Sequence, residues 1–297
     1  MRGVVVSLPN DEGLARELGK KGTTNGISFY NKKVNGIAIT TLFPSNLTEK
    51  FYAVAQSILL ANVVVLGSKN LDALFGESVI ASSLLGKKVL ITADSDASSI
   101  LNGLPLDYKI VEKEKLEEEI LACTPKAESS EVRIDLDRAF PVNGVGDVVL
   151  GIVTRGSVSK HATLVHSSGK EALVRSVQMQ DEDVEQAEQG ARVGLALKGL
   201  SYKEVEKGDI LASRQIKYKK EFSAKIEFSK FAGQSQNVRC LLVHNFSESI
   251  AMLTQKQQGT FSISLEKPMA IDSGDKFLLV RDSKPRIFAS GTLLAEE

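Results

Sequence analysis

The stretch "AFPVNGVGDVVLGIVTRGSV" (Ala139–Val158) decides how this 297-residue chain is read. It runs as a strand, a glycine-bearing turn and a second strand that ends at a charged glycine turn. Gly144 and Gly146 allow the backbone conformations that other residues resist in a tight turn. Gly151 thins the second strand where a barrel would bend. G-V-G-D looks like part of a dinucleotide fingerprint, but that motif needs a helix after it and here a strand follows.

Outward from this hairpin, helical periodicity nearly disappears. "VRIDLDRAFPV", "EALVRSVQM", "ARVGLALKG", "EFSAKIEFSKF", "VRCLLVHNF", "GTFSISLEKPMAI" and "DKFLLVRD" are strand-length runs punctuated by glycines and charges, the pattern of barrels or sandwiches. The turn-like text around Ser213 divides them into two β modules, residues 132–213 and 214–297. Residues 1–122 read differently. "GVVVSL", "GIAITTLF", "ANVVVLG" and "KKVLITA" are Val/Ile-rich with little alternation, as expected of strands covered on both faces. Helical patterns lie between them: "EGLARELGKK", "NLTEKFYAVAQSILLAN" with Asn46 or Thr48 as N-cap, and "GESVIASSLLGKK" with Gly86 as C-cap. Strand–helix alternation implies βαβ units and a mostly parallel sheet. "EKEKLEEEI" reads as a solvated helix, and the polar residues 123–131 as a linker.

Composition excludes several classes. The chain is 42% apolar and 25% charged, as in ordinary folded proteins. No apolar run approaches the roughly 20 residues that cross a bilayer, and "MRGVVVSLPNDEG" has too short an apolar core for a signal peptide. Cys123 and Cys240 stand far apart and read as reduced thiols, so a cytoplasmic protein is expected. The formal net charge is zero, but residues 216–297 carry 12 Lys/Arg against 9 Asp/Glu. That balance is too mild to establish a nucleic-acid partner, and nothing points to DNA. His161, His166 and His244 do not cluster with the cysteines, so no metal site is expected and strand-surface positions are. No Ser/His/Asp arrangement is visible in the sequence.

The β half resembles the second and third domains of EF-Tu-type translational GTPases. The resemblance rests on Ala139–Val158 and on an A-x-x-G-x-x-V-G-x-x-L-x-G block at Ala187, Gly190, Val193, Gly194, Leu197 and Gly199. The turn Gly208–Asp209 follows. In the last module it rests on Pro268, Gly274–Asp275, Phe277, Arg281 and Gly291. It extends over about 165 residues. In residues 1–122, "ELGKKGTTNGISFYN" and "NLDALFGESVIASSLLGKK" resemble SelB-like factors, including the archaeal factor EF-Pyl. Asp72, Ala73 and Gly76 keep that subgroup's pattern. The resemblance therefore implies a P-loop GTPase-like α/β domain followed by two all-β barrels.

The GTPase chemistry is missing from the positions the resemblance assigns to it. A phosphate loop needs backbone N–H groups, a lysine and a Ser/Thr hydroxyl for Mg²⁺. The loop here contains Ser7, Pro9, Asn10, Asp11, Glu12 and Gly13, with a helix expected from about Leu14. Pro9 has no donor, Asp11 stands in the lysine's place, and Glu12 or Gly13 in the hydroxyl's. Two carboxylates there would repel a triphosphate. "GKKGTT" (Gly19–Thr24) imitates the motif in composition only. Gly13 and Gly19 enclose five residues instead of four, and Lys21 stands where Ser/Thr is needed. Gly19 reads as a helix C-cap, with Lys20 and Lys21 complementing the dipole.

The D-x-x-G position carries "TTLFPSN". The N-K-x-D position carries "TADSD", with Ala93 and Asp94 replacing Asn and Lys and only Asp96 able to keep its role. The expectation is a degenerate G domain that binds neither GTP nor Mg²⁺ and catalyses nothing.

What remains is binding. The resemblance implies that the second domain receives the aminoacyl end of a charged tRNA, at Met179–Gln180 and at Arg192, an arginine where the family has a small or amide-bearing residue. "QDEDVEQAEQ" holds five carboxylates and no base, so either it faces away from RNA or tRNA is not bound. In the last module, Lys217, Lys219 and Lys225 alternate with Ile216, Tyr218, Phe222, Ile226 and Phe228, a barrel strand whose outer face could track phosphates. The expected function is a non-catalytic, translation-associated protein that binds tRNA, the ribosome or a translation factor. A divergent GTP-binding elongation factor and a scaffold that binds neither ligand stay open. The sequence ends at Glu297 directly after the last module, so the further C-terminal domain of some SelB-type factors is not expected and selenocysteine-specific delivery has no direct support.

Overall fold

The computed structural model describes residues 1–126, 129–233, 236–257 and 259–295. Residues 127 and 128 of the expected linker, and 234, 235, 258, 296 and 297 of the last module, lie outside the described residues.

The N-terminal unit has seven strands: β1 (Arg2–Ser7), β2 (Lys20–Thr24), β3 (Ile27–Val34), β4 (Ile37–Pro44), β5 (Val63–Leu66), β6 (Lys88–Thr92) and β7 (Asp107–Val111). Its helices are α1 (Glu12–Leu18), α2 (Tyr52–Leu60), α3 (Ala73–Leu85), α4 (Ser98–Leu101) and α5 (Leu116–Ala122). The sheet order is β2-β3-β4-β1-β5-β6-β7. The pairs β4–β1, β1–β5, β5–β6 and β6–β7 are parallel, while β2–β3 and β3–β4 are antiparallel. Val4, Val5 and Val6 are fully buried because helices cover both faces of the sheet. Leu14, Leu18, Leu116 and Ile120 pack on one face. Val54, Ile58, Phe75 and Val79 pack on the other, in a core shared with Val243, Leu278 and Ile287 of the last unit.

The middle unit holds β8 (Arg133–Val142), β9 (Gly146–Arg155), β10 (Ser157–Ser159), β11 (Thr163–His166) and β12 (Glu171–Met179). It continues through β13 (Glu182–Val184), β14 (Gln186–Glu188), β15 (Arg192–Lys198) and β16 (Ile210–Ala212). The order β11-β16-β8-β9-β15-β12 closes on itself through β11–β12, giving a six-stranded antiparallel barrel extended by β13. The last unit closes as β17 (Tyr218–Phe228), β20 (Thr260–Ala270), β19 (Ser247–Gln257), β18 (Asn237–His244), β21 (Lys276–Val280) and β22 (Ile287–Leu293). Gly291 is required in that barrel, since a Cβ there would lie 2.1 Å from the Phe277 ring. The architecture is the one expected: an α/β unit with a mostly parallel sheet, then two β-barrels.

Several local expectations are corrected. "GKKGTT" is more than a helix ending, because Lys20–Thr24 forms the edge strand β2, paired to β3. Gly19 does terminate α1, in extended backbone (φ 176, ψ 169) that leads straight into that strand. Helix α1 begins at Glu12, two residues before the expected start, because the Asp11 carboxylate caps it by accepting from the Leu14 N–H at 2.9 Å. Neither Asn46 nor Thr48 caps α2. Its N-cap is Phe51 without a side-chain bond, and Asn46 sits in a left-handed turn (φ 58). Gly86 ends α3 as expected, with φ 64. Of the histidines, only His161 is exposed. His166 and His244 are buried and hydrogen-bonded, because the two barrels meet around them.

Those contacts tie the units together. His166 Nε2 lies 3.0 Å from Asp209 Oδ2, and its Nδ1 accepts from the Ser168 hydroxyl (2.9 Å) and backbone N–H (3.2 Å). Tyr218, at the start of the last barrel, donates to Asp209 Oδ1 at 2.6 Å. The fold thus assembles a Ser–His–Asp chain that sequence separation concealed, and its Asp209 serves as the tie between the barrels.

Burial pushes the Asp209 carboxyl up, but the bonds from His166 and Tyr218 outweigh it and hold the group below its ordinary range. Asp275 is likewise raised by burial and lowered more strongly by His244 and Arg133. A depressed folded pKa contributes stability that is complete above the unfolded value of about 4 and is lost as pH falls through the folded value. The urea midpoint should therefore hold steady down to about pH 5 and fall steeply below pH 4. Asp209→Asn should lower the midpoint at neutral pH and make the acid slope shallower. An unchanged slope would contradict this assignment.

Candidate functional site

Strands β1, β5 and β6 end on the same edge of the sheet, the edge at which open α/β sheets bind ligands. The loop after β1 is occupied by its own side chains. Ser7 Oγ turns away to Ser57 Oγ at 2.8 Å, and Pro9 is buried. The Asn10 side chain pairs with the backbone of Gly67 after β5, donating to its carbonyl at 2.7 Å and accepting from its N–H at 3.0 Å. The Asp11 carboxylate caps α1 and packs so close to Gly67 that a Cβ there would lie 2.9 Å from Asp11 Cβ and Oδ2. Glu12 turns to the sheet, accepting from Tyr30 Oη at 2.8 Å and from Arg16 at 3.1 Å. The Tyr30 bond first, then the Arg16 bond, lower its pKa. Gly13 is exposed.

The loop after β6 closes in the same way. The Ala93 N–H bonds to Val111 O, the Asp94 carboxylate accepts from Thr92 Oγ1 at 2.5 Å, and the Ser68 hydroxyl receives the N–H groups of Asp94 and Ser95. Asp96 accepts from the Ser98 N–H, so it caps the following turn. The space left between the two loops, among Asp11, Lys69, Asp94 and Lys113, is about 50 Å³. Small-molecule pockets usually measure roughly 300–1,000 Å³.

A larger cleft of about 510 Å³ lies between the β2–β3 edge and the first barrel, lined by Lys20, Lys21, Thr23, Gln178, Gln180 and Arg192. Arg192 spans it. The guanidinium stacks 3.4 Å above the centre of the Phe29 ring, and Nη2 donates to Thr23 Oγ1 and Asp137 Oδ2, both at 3.1 Å. Its Nη1 is buried without a partner among the described residues, as is Asp137 Oδ1. Burial lowers the Arg192 pKa, and Asp137 opposes this.

Gln180 donates to the carbonyls of Lys32 (3.1 Å) and Ile39 (3.4 Å) from a left-handed turn (φ 49). Met179 is corrected: it is 1% exposed in the barrel core, because β12 turns its odd-numbered end inward. Of the acidic run, Glu182 pairs with Lys33 of the α/β unit, whereas Asp181 lines the Arg192 cleft itself. The fold thus brings Gln180 and Arg192 together with Lys20, Lys21 and Phe29, which sequence reading did not connect with them.

The lysines of the last barrel lie elsewhere. Lys217 and Lys225 are exposed, with Lys220 and Lys256 also on the surface, and a bulge between Lys219 and Glu221 breaks strict alternation. Ile216, Phe222 and Ile226 are buried as expected, but Tyr218 is 40% exposed because its hydroxyl reaches across to Asp209.

Comparison with known proteins follows the same outline. Residues 146–212 match the family model for elongation factor Tu domain 2. An uncharacterized protein of Methanocaldococcus jannaschii is 29% identical over 99% of this chain and 100% of its own length. The selenocysteine-specific elongation factor of the same organism is 29% identical over 53% of this chain, and the match spans 39% of that factor. Among solved structures, the apo form of translation elongation factor SelB from Methanococcus maripaludis superposes with a TM-score of 0.79 at 20% identity, covering 100% of this chain and 80% of that one. The chain is thus similar to SelB in architecture over its whole length and in sequence over about half of it, with an EF-Tu domain 2 module at residues 146–212.

Proposed function

We propose that this chain is a non-catalytic, SelB-like translation-associated protein of the cytoplasm, which binds tRNA through its barrels and has no nucleotide cycle. The observation that carries this reading is the loop after β1. Asn10 and Asp11 occupy the hydrogen-bonding groups that a phosphate would otherwise engage, and the space beside them is about 50 Å³. The cleft at Arg192 supports an aminoacyl or 3′-terminal contact. It offers a buried guanidinium N–H that is not yet bonded, beside Lys20 and Lys21 and against the Phe29 ring. Gln180 borders the same cleft. Exposed Lys217 and Lys225 supply a surface for backbone phosphates. Without a γ-phosphate-sensing switch, release would be governed by a partner rather than by hydrolysis.

Calorimetry with GTP–Mg²⁺ and filter binding of charged and uncharged tRNAs across a salt series test this. We expect no GTP heat at micromolar protein, and tRNA affinity that falls linearly in log–log form with salt. Arg192→Lys should weaken binding of the charged tRNA more than the uncharged one. Micromolar GTP affinity would overturn the reading in favour of a divergent elongation factor. Absence of tRNA binding at every salt concentration would favour a scaffold.

A further inference from the structure

A cavity of about 410 Å³ lies where all three units meet, away from both the β1 loop and the Arg192 cleft. Lys87 enters it from the α/β unit, Arg155 from the first barrel and Lys276 from the second, over a floor of Arg133, His244 and Asp275.

In the floor, one guanidinium is shared by two carboxylates. Arg133 donates to Asp135 at 3.1 and 3.2 Å, to both oxygens of Asp275 at 2.8 and 2.7 Å, and to His244 Nε2 at 2.9 Å. A guanidinium can only donate. His244 Nε2 therefore accepts from Arg133, and its Nδ1 lies 3.0 Å from the Lys276 carbonyl. Thr154 and Asn245 complete the shell of Asp135.

The walls are not balanced. Lys87 is half-buried, and its ammonium bonds go to the carbonyls of Leu59 (2.9 Å) and Ala61 (2.6 Å), neither of them an anion. Lys276 Nζ reaches the Leu85 carbonyl at 3.3 Å. Among the described residues neither lysine has a carboxylate within 4.0 Å. Arg155 has a long contact of 3.4 Å to Glu131, which Arg214 shares at the same distance. Burial, followed by repulsion from Lys276, brings the Lys87 pKa down to about 8.

We propose that this junction binds a phosphate-type oxyanion, held by Lys87, Lys276 and Arg155, which clamps the three units in one arrangement. The anion would neutralise the lysines at the mouth of an open cavity, where Lys276 is exposed and Lys87 and Arg155 are partly buried. Because each unit supplies one cation, an open arrangement would lose the site, so binding stabilises the closed one by mass action. The cavity exceeds a single phosphate and has room for a small phosphorylated molecule.

The test uses the whole chain. Thermal unfolding and calorimetry are run with inorganic phosphate, pyrophosphate and AMP, against chloride at matched ionic strength. We expect the melting temperature to rise with the logarithm of phosphate or pyrophosphate concentration up to about 10 mM, with chloride giving no such rise. Lys276→Met should abolish the dependence, Arg155→Gln should weaken affinity at least about tenfold, and Lys115→Met, at an exposed lysine outside the cavity, should leave it intact. The readout is the dependence on ligand, so a variant that is merely less stable still reports. AMP or pyrophosphate binding at least about tenfold tighter than phosphate would assign the site to a phosphorylated small molecule; equal affinity would assign it to free phosphate. No response beyond chloride, or an equal response in Lys276→Met, would overturn the proposal. Neither result bears on tRNA binding.

Discussion

Arg133→Met is expected to lower the free energy of unfolding by about 3–5 kcal/mol, the usual result of removing one partner from a buried ion network. Arg133 is 4% exposed and lies between Asp135 and Asp275, which belong to different barrels. Methionine matches the volume of the side chain but leaves two buried carboxylates facing each other and His244 Nε2 without its donor. Urea unfolding at pH 7 measures the loss. Asp135→Asn and Asp275→Asn in the same background should restore much of it, because the damage comes from uncompensated charge rather than lost packing. A loss under about 1 kcal/mol would mean that the network does not hold the barrels together.

Glu77→Ala should have the second large effect, at the interface between α3 and the last barrel. The Glu77 carboxylate is 6% exposed, and its two oxygens accept the backbone N–H groups of Arg286 at 2.6 Å and Ile287 at 2.9 Å, where β22 begins. Alanine leaves both donors unsatisfied in a buried site, at about 1–3 kcal/mol each. Glu77→Gln should cost nearly as much, because one of the two acceptors becomes an NH₂ group aimed at another donor. Hydrogen exchange at Arg286 and Ile287 should accelerate in both variants. Unchanged protection there, with a stability change under about 0.5 kcal/mol, would remove Glu77 from the interface.

The long hydrophobic runs made the fold class legible. Val4–Val6 and Val63–Leu66 could only be strands covered on both sides, and the glycine turns at Gly144 and Gly146 fixed the first hairpin of the first barrel. The β3–β4 hairpin was missed although Asn35-Gly36 (φ 50 and 77) is the strongest short hairpin signal there is. Strand β19 was missed too, because Gln255, Lys256 and Gln257 mask its inward Ala251 and Leu253.

By itself the sequence determined the order of one α/β unit and two β-barrels, and it drew attention to the loop after β1 with its carboxylates Asp11 and Glu12. Those are properties of local pattern, which a single chain displays in full. The tertiary structure decided what each polar side chain faces. It put Met179 in a core, turned Glu12 to Tyr30, buried an unpartnered Arg192 N–H beside a cleft, and gathered Lys87, Arg155 and Lys276 from three units around one cavity. Burial and hydrogen bonding set the energy of a charge, and residues 68 and 121 positions apart in sequence become partners only when the units close.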